Sequence, residues 1–320
     1  MRKLGPALLL AISLATSALL VKFSTMHSHS QHRQPLLVGI YQPEPGPGPE
    51  LQGSQKLRLS PLFLNWSAAD ALARLDHFLN NPSQANRLPL ITVEPFANQA
   101  TGRSDHQLVS DIENGLYDPQ IVAIGKRLAS HRKPLLLRFG HEMDQVGQYP
   151  WSISDGDRYV RMLRHVHATM APTGISNVRW VWSPAGNRNA DQYWPGDQYV
   201  DVIGISIYSS RGFSADGSLP SFTKLYGEKR WLHERYRKPV LLAEIGVSGS
   251  ATNKQAWLKQ ALATMADYPE ICGLIYFDAQ QPSWMPLASG PEDWRLKPTD
   301  LRWLIGSLPQ GQQLESCEPS

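Results

Sequence analysis

From Gln34 onward the chain alternates two hydrophobic patterns. Short runs rich in Val, Ile and Leu are separated by longer stretches in which apolar residues return every three or four positions. A run that is apolar at nearly every position suits a strand buried on both faces, whereas the longer spacing lays one stripe of a helix on a sheet. Eight runs read as strands: 36–41, 62–66, 88–93, 134–139, 178–182, 200–208, 239–244 and 272–277. Between them Leu72, Leu75 and Leu79 form one helical stripe, and Ile121, Ile124 and Leu128 a second. Tyr159, Met162, Leu163 and Val166 form a third, and Leu258, Ala261, Leu262 and Met265 a fourth. Asp118 before Pro119 reads as a helix cap, and Thr299 as the start signal for a last helix near 301–308.

Strands alternating with helices feed a parallel sheet, and eight such units fit a closed (β/α)8 TIM barrel better than an open doubly wound sheet. No Gly-rich phosphate turn follows the first strand, which also argues against the open sheet. The stretch 43–50 reads Pro-Glu-Pro-Gly-Pro-Gly-Pro-Glu and cannot be helical, so the first helix is expected to be reduced or missing and one side of the barrel mouth open. The expected organisation is one barrel domain over 34–309, a leader and polar linker over 1–33, and a flexible tail over 310–320.

Composition adds limits. With 320 residues, 42% hydrophobic and 18% charged, the chain has material for one large core. The net charge of +3 comes from 31 basic and 28 acidic residues that form no cluster, so no nucleic-acid partner is expected. Arg2 and Lys3 precede an apolar run over 6–21, which reads as an export signal. No clean cleavage site follows it, so an uncleaved membrane tether stays open beside a secreted or periplasmic product. His27, His29 and His32 lie in the polar stretch after it and read as linker. The two cysteines, Cys272 and Cys317, exclude a disulfide framework. One bridge between them remains open, because sequence cannot place their Cα atoms.

In a barrel of this kind the active site lies at the C-terminal ends of the strands, so the polar groups that end the apolar runs are the ones to weigh. They are Glu94, Arg138, His141, Glu142, Ser183, Tyr208, Glu244 and Asp278, with Trp182 beside Ser183. Two carboxylates from strands across one mouth can flank a glycosidic bond, one protonating the leaving oxygen and the other attacking the anomeric carbon. The structural alternative is a rim salt bridge between one Glu and Arg138. Other chemistries lack their residues. His141-Glu142 is followed by Gln145 where a zinc helix needs a second His, and His165 and His167 stand two apart on different helix faces. No Gly-x-Ser-x-Gly elbow or phosphate loop occurs, and neither metal nor cofactor is expected.

These residues resemble glycoside hydrolase family 26, which contains β-mannanases and some β-glucan and β-xylan hydrolases. The resemblance spans about Leu36 to Leu308. Its strongest piece is Arg138-Phe139-Gly140-His141-Glu142-Met143-Asp144, continuing to Tyr149-Pro150-Trp151, with Asn114-Gly115-Leu116-Tyr117-Asp118 ahead of it. Trp180-Val181-Trp182-Ser183-Pro184, then 195–201, then Lys238 to Gly246 follow in family order. The resemblance implies Glu142 as acid/base and Glu244 as nucleophile. It sets His141 beside the acid to hold the sugar or the nucleophile, Tyr208 to hydrogen-bond Glu244, and Arg138 beneath the site as its cation. Tyr149, Trp151, Trp182 and Trp284 become candidates for sugar contact, joined by Glu94 and Asp278 from the strand ends.

The chain departs from the family pattern where Asp144 stands for Asn, Gln148 for Trp, and Ser206 for the Asp of a Gly-x-Asp-x-Tyr strand. The reaction type therefore carries over better than the sugar. The implied activity is retaining hydrolysis of a β-linked polysaccharide, mannan first and β-glucan second; separately, a monomer is expected. Two further readings are an envelope enzyme trimming the cell's own exopolysaccharide and a barrel that binds polysaccharide without cleaving it.

Overall fold

The computed structural model describes residues 36–43, 48, 51, 54–97, 102, 104–214, 216–281, 291–308 and 317. The apolar run 6–21, the His-bearing linker and Trp284 lie outside the described residues.

All eight runs form strands, β1 Leu37–Tyr41, β2 Leu59–Asn65, β3 Leu88–Glu94, β4 Leu135–Phe139, β5 Val178–Trp182, β6 Val202–Ser209, β7 Val240–Val247 and β8 Ile271–Phe277. They hydrogen-bond in the order β1-β8-β7-β6-β5-β4-β3-β2, every pair parallel. The two ends of this sheet meet where the Arg58 amide donates to the Val38 carbonyl at 2.9 Å, closing the barrel between β1 and β2. That seam needs Gly39, since a Cβ there would stand 2.8 Å from Leu59. β2 starts at Leu59 rather than 62, because Pro61 sits inside the strand instead of ending it.

Among the described residues eight α-helices pack outside: α1 Ala71–Asn80, α2 Leu108–Glu113, α3 Asp118–His131, α4 Gly156–Met170, α5 Phe222–Lys229, α6 Trp231–Tyr236, α7 Ala251–Met265 and α8 Pro298–Ser307. The expected stripes face inward, with Ile121, Ile124 and Leu128 buried on α3, and Tyr159, Met162, Leu163 and Val166 buried on α4. Two start signals are corrected. Asp118 is the first residue of α3 and caps nothing; its carboxylate accepts from His165 Nε2 at 2.6 Å. Thr299 lies inside the first turn of α8, which begins at Pro298.

Most of the proline-rich stretch 43–50, where the first helix is expected to be reduced or missing, lies outside the described residues. No α-helix joins β5 to β6; 3-10 turns at 188–193 and 197–199 fill that connection, in a stretch punctuated by Pro184, Gly186, Pro195 and Gly196.

Side-chain alternation splits the core in two. Leu135, Leu137 and Phe139 of β4 point outward to the helices, while Leu136 joins Leu37, Leu59, Leu90, Val181, Leu241 and Cys272 inside the barrel. Cys317 belongs to this inner cluster, 1% exposed and disulfide-bonded to Cys272, with its carbonyl accepting from Arg179 Nη1 at 3.3 Å. The expected free tail thus returns through Cys317 to the N-terminal end of the strands. Above the apolar layers the inward positions turn polar, beginning with Arg138.

Candidate active site

Two local devices bring the carboxylates of the strand ends into one space. β4 ends at Phe139 and turns sharply, with Gly140 at φ 55° and Glu142 at φ 53°. A left-handed backbone is costly for a non-glycine residue, on the order of 1–3 kcal/mol, and persists only where the surroundings fix it. Here the Glu142 amide donates to Ser183 O at 2.7 Å, and Trp151 Nε1 donates to His141 O at 2.7 Å. On β7 the register jumps from Leu242 opposite Ile205 to Glu244 opposite Ser206, so Ala243 is an extra residue. This bulge lets Ala243 pack inside the barrel while the next side chain, Glu244, faces the cavity.

Glu244 is clamped from below and from the side. Arg138, fully buried, donates from Nη2 to Glu244 Oε1 at 2.7 Å and from Nε to Thr92 Oγ1 at 2.9 Å. Its guanidinium lies 5.1 Å from the Phe63 ring centroid. Tyr208 OH donates to the other oxygen, Glu244 Oε2, at 2.6 Å. His141 Nε2 stands 3.9 Å from Oε1, close but beyond hydrogen-bond length, and His141 Nδ1 is buried with no hydrogen-bond partner in the protein. Burial and then the Arg138 charge hold the imidazole well below its usual pKa, so it is neutral.

Glu142 has a different bed. Its Oε2 accepts from Gln145 Nε2 at 2.7 Å and from Tyr149 OH at 3.4 Å, both neutral donors. Burial, followed by the nearby charge of Glu244, pushes its pKa up to about 7. Glu94 at the end of β3 is pushed up to about 7 as well, by burial first and Glu244 second. The pair is therefore asymmetric: one carboxylate is held by a cation and a phenol, the other retains a proton near neutrality.

Both groups line one cavity of about 510 Å³, together with Glu94, His141, Tyr149, Ser206 and Tyr208. Tyr41, Phe63, Phe277 and Trp294 make an aromatic wall on the β1, β2 and β8 side; Gln145, Gln148, Asn187 and Lys229 make a polar one opposite. Among the described residues no group of three His, Cys, Asp or Glu could hold a metal ion.

Several expected sugar contacts lie elsewhere. Trp151 is fully buried behind Tyr149, their rings stacked at 4.7 Å, and supports the His141 turn. Trp182 is buried too, donating to Tyr193 O at 3.0 Å and packing edge-on against Trp194. Asp278 ties loops together, accepting from the Leu296 amide at 2.5 Å and Gln42 Nε2 at 2.7 Å. None of the three borders the cavity. Asp144, one of the family departures, is also removed from sugar contact. Its carboxylate accepts the amides of Ala185, Gly186 and Asn187 at 2.6, 2.9 and 2.7 Å, anchoring the loop after β5. Lys229 Nζ fastens the same loop through Ala185 O at 2.5 Å and Ser206 O at 2.7 Å. Sequence reasoning missed Trp294 and the Tyr41–Phe63–Phe277 group. Tyr41 and Phe277 end their strands, so the strand-end rule applied to aromatic as well as polar residues finds them.

Comparison with known proteins bears on this arrangement. The model of the family described as "Glycosyl hydrolase family 26" matches residues 77–233. "Endoglucanase H" of Acetivibrio thermocellus is 28% identical over 262 residues, covering 76% of this chain and 27% of that protein. "Mannan endo-1,4-beta-mannosidase" of Bacillus subtilis is 28% identical over 183 residues, covering 54% of this chain and 42% of that protein. The chain thus spans less than half the length of these curated relatives. The structure of the GH26 β-mannanase BoMan26A from Bacteroides ovatus superposes with a TM-score of 0.60 at 17% identity, covering 87% of this chain and 90% of that one, which supports the barrel. The chain is thus similar to glycosyl hydrolase family 26 over the segment 77–233, which takes in β3, β4, β5 and β6, and it shares the barrel fold of that mannanase.

Proposed function

We propose that the protein is a retaining endo-β-glycanase that cleaves a β-linked polysaccharide by double displacement, with Glu142 as acid/base and Glu244 as nucleophile. The observation that carries this reading is the unlike treatment of two carboxylates in one cavity. Arg138 and Tyr208 hold Glu244, while burial keeps Glu142 protonated up to about pH 7. Glu142 gives its proton to the glycosidic oxygen as a Glu244 oxygen attacks the anomeric carbon; the bond to the leaving sugar breaks and a glycosyl ester on Glu244 forms. Glu142, now a carboxylate, takes a proton from water, whose oxygen attacks the same carbon and frees Glu244. Two inversions give net retention. Tyr149 and Trp294 are the sugar-facing aromatic groups, and Glu94 and the unpartnered His141 Nδ1 the polar ones.

For the sugar, β-mannan stands first and β-glucan second, which the mannanase and endoglucanase relatives support. Incubation with mannans, mixed-linkage glucans, xylans and cellulose is expected to shorten one of the first two. Binding without any shortening would leave a polysaccharide-holding barrel and reject the enzyme.

A second expectation concerns pH. The acid must enter the reaction protonated, so activity is present below the Glu142 pKa and lost as pH rises through it. A profile of kcat/KM is expected to fall above about pH 7, approaching roughly tenfold per unit. A flat profile from pH 6 to 9 contradicts the assignment of Glu142.

Export to the periplasm or medium fits the apolar run after Arg2 and Lys3, and a disulfide persists in oxidising compartments. Fractionation into medium, periplasm and membrane, with N-terminal sequencing, separates a cleaved signal from a tether; recovery in the cytoplasm rejects export.

A further inference from the structure

Phe213 stands out among the described residues as a large aromatic side chain left in water, 46% exposed, at the edge of the cavity. It sits on the turn Arg211–Phe213 that follows β6. A ring in solvent contributes little to folding, yet the backbone beneath this one is firmly braced. Ser210, 1% exposed, accepts the Gly212 amide at 3.0 Å and donates to Glu292 Oε1 at 2.5 Å. The Phe213 amide closes the turn on Ser210 O at 3.2 Å, and Arg211 Nη1 donates to Gly217 O at 2.9 Å. Glu292 belongs to the segment after β8, which is clipped to the end of that strand by Gln281 N to Glu292 O at 2.8 Å and Trp294 N to Ala279 O at 3.1 Å. The loops after β6 and β8 are thus cross-linked at the rim that carries this ring.

A line of rings leads inward from it. Phe213 lies 6.1 Å from Trp294, Trp294 lies 4.8 Å from Tyr208, and Tyr208 holds the carboxylate of Glu244. Resting on the reading of the site given above, we infer that Phe213 is an outer stacking platform for a neutral pyranose, one or more units along the polysaccharide from the sugar that meets Glu244. The apolar C–H face of a pyranose covers an exposed ring without desolvating a charge, and a ring already fixed on a braced turn loses little freedom on binding. The pocket near Glu244 supplies the chemistry, and Phe213 extends the chain length that the protein grips.

The test uses the full chain with Glu142→Gln, so that binding is read without turnover. The probes are oligosaccharides of two to six units in the manno, cello and mixed-linkage gluco series, titrated by calorimetry. Phe213→Ala is expected to lower the ratio of hexasaccharide to disaccharide affinity by roughly 3- to 10-fold, and Phe213→Trp to preserve that ratio. An unchanged ratio in Phe213→Ala, or an equal loss at every length, overturns the inference. If the wild-type protein hydrolyses polysaccharide while the ratio is insensitive to Phe213, this inference alone falls. If no series binds, the inference and the reading of the site fall together.

Discussion

Glu244→Ala is expected to lower kcat by roughly 10⁴-fold or more, and added azide to restore turnover with an azide product of opposite anomeric configuration. The side chain that is lost is the attacking atom of the proposed first step, and the alanine leaves a space above Arg138 for a small anion. Azide entering there attacks the same carbon from the same side, and no second displacement follows, so the configuration ends inverted. Arg138 is fully buried, and removing one partner of a buried ion pair costs about 3–5 kcal/mol. Glu244→Gln therefore accompanies the alanine variant, keeping the volume and one acceptor for Tyr208. If either folded variant turns over polysaccharide at the parental rate, Glu244 is not the nucleophile.

Loss of the bridge between Cys272 and Cys317 should destabilise the barrel by about 2–4 kcal/mol, because cross-linking residues 45 apart removes much of the closure entropy of the unfolded chain. For a domain of this size that corresponds to a fall in Tm of roughly 3–7 °C. Cys317 also fills the apolar bottom of the barrel, so a freed C-terminus opens that layer to water. Thermal unfolding of the protein with and without reductant, and of Cys272→Ser with Cys317→Ser, reads the effect. A Tm that ignores both treatments, or two titratable thiols in the untreated protein, contradicts it. The cavity lies at the opposite ends of the strands, so kcat at 25 °C should be retained.

Much of this architecture is legible in the sequence because parallel strands are buried on both faces and announce themselves as unbroken apolar runs. Leu135, Leu136 and Leu137 are an instance; no alternation is needed to find β4. Arg138 ending such a run, with His141 and Glu142 beyond it, is equally plain, since a cation among leucines has to meet an anion. What stays hidden is decided by tertiary neighbours. Trp151 and Trp294 are the same residue type in the loops that follow β4 and β8, yet one braces a turn and the other faces the cavity, a choice set by packing against Tyr149 and Tyr208. The bulge at Ala243 leaves no mark in composition, although it aims Glu244. Asp144 is legible only as a departure from the family pattern; that three amides across the turn claim its oxygens is decided by the fold. The missing helix between β5 and β6 was foreshadowed by its prolines and glycines, which a count of repeating units passes over.

The grip of Asp144 on the Ala185–Asn187 amides limits loop length. Because Ser183 O also takes the Glu142 amide, the segment bearing the proposed acid and the loop after β5 form one unit with two clasps. An insertion between the two clasps would strain the bond that seats the proposed acid, so loop-length changes there should cost more than changes on the β6 and β8 side.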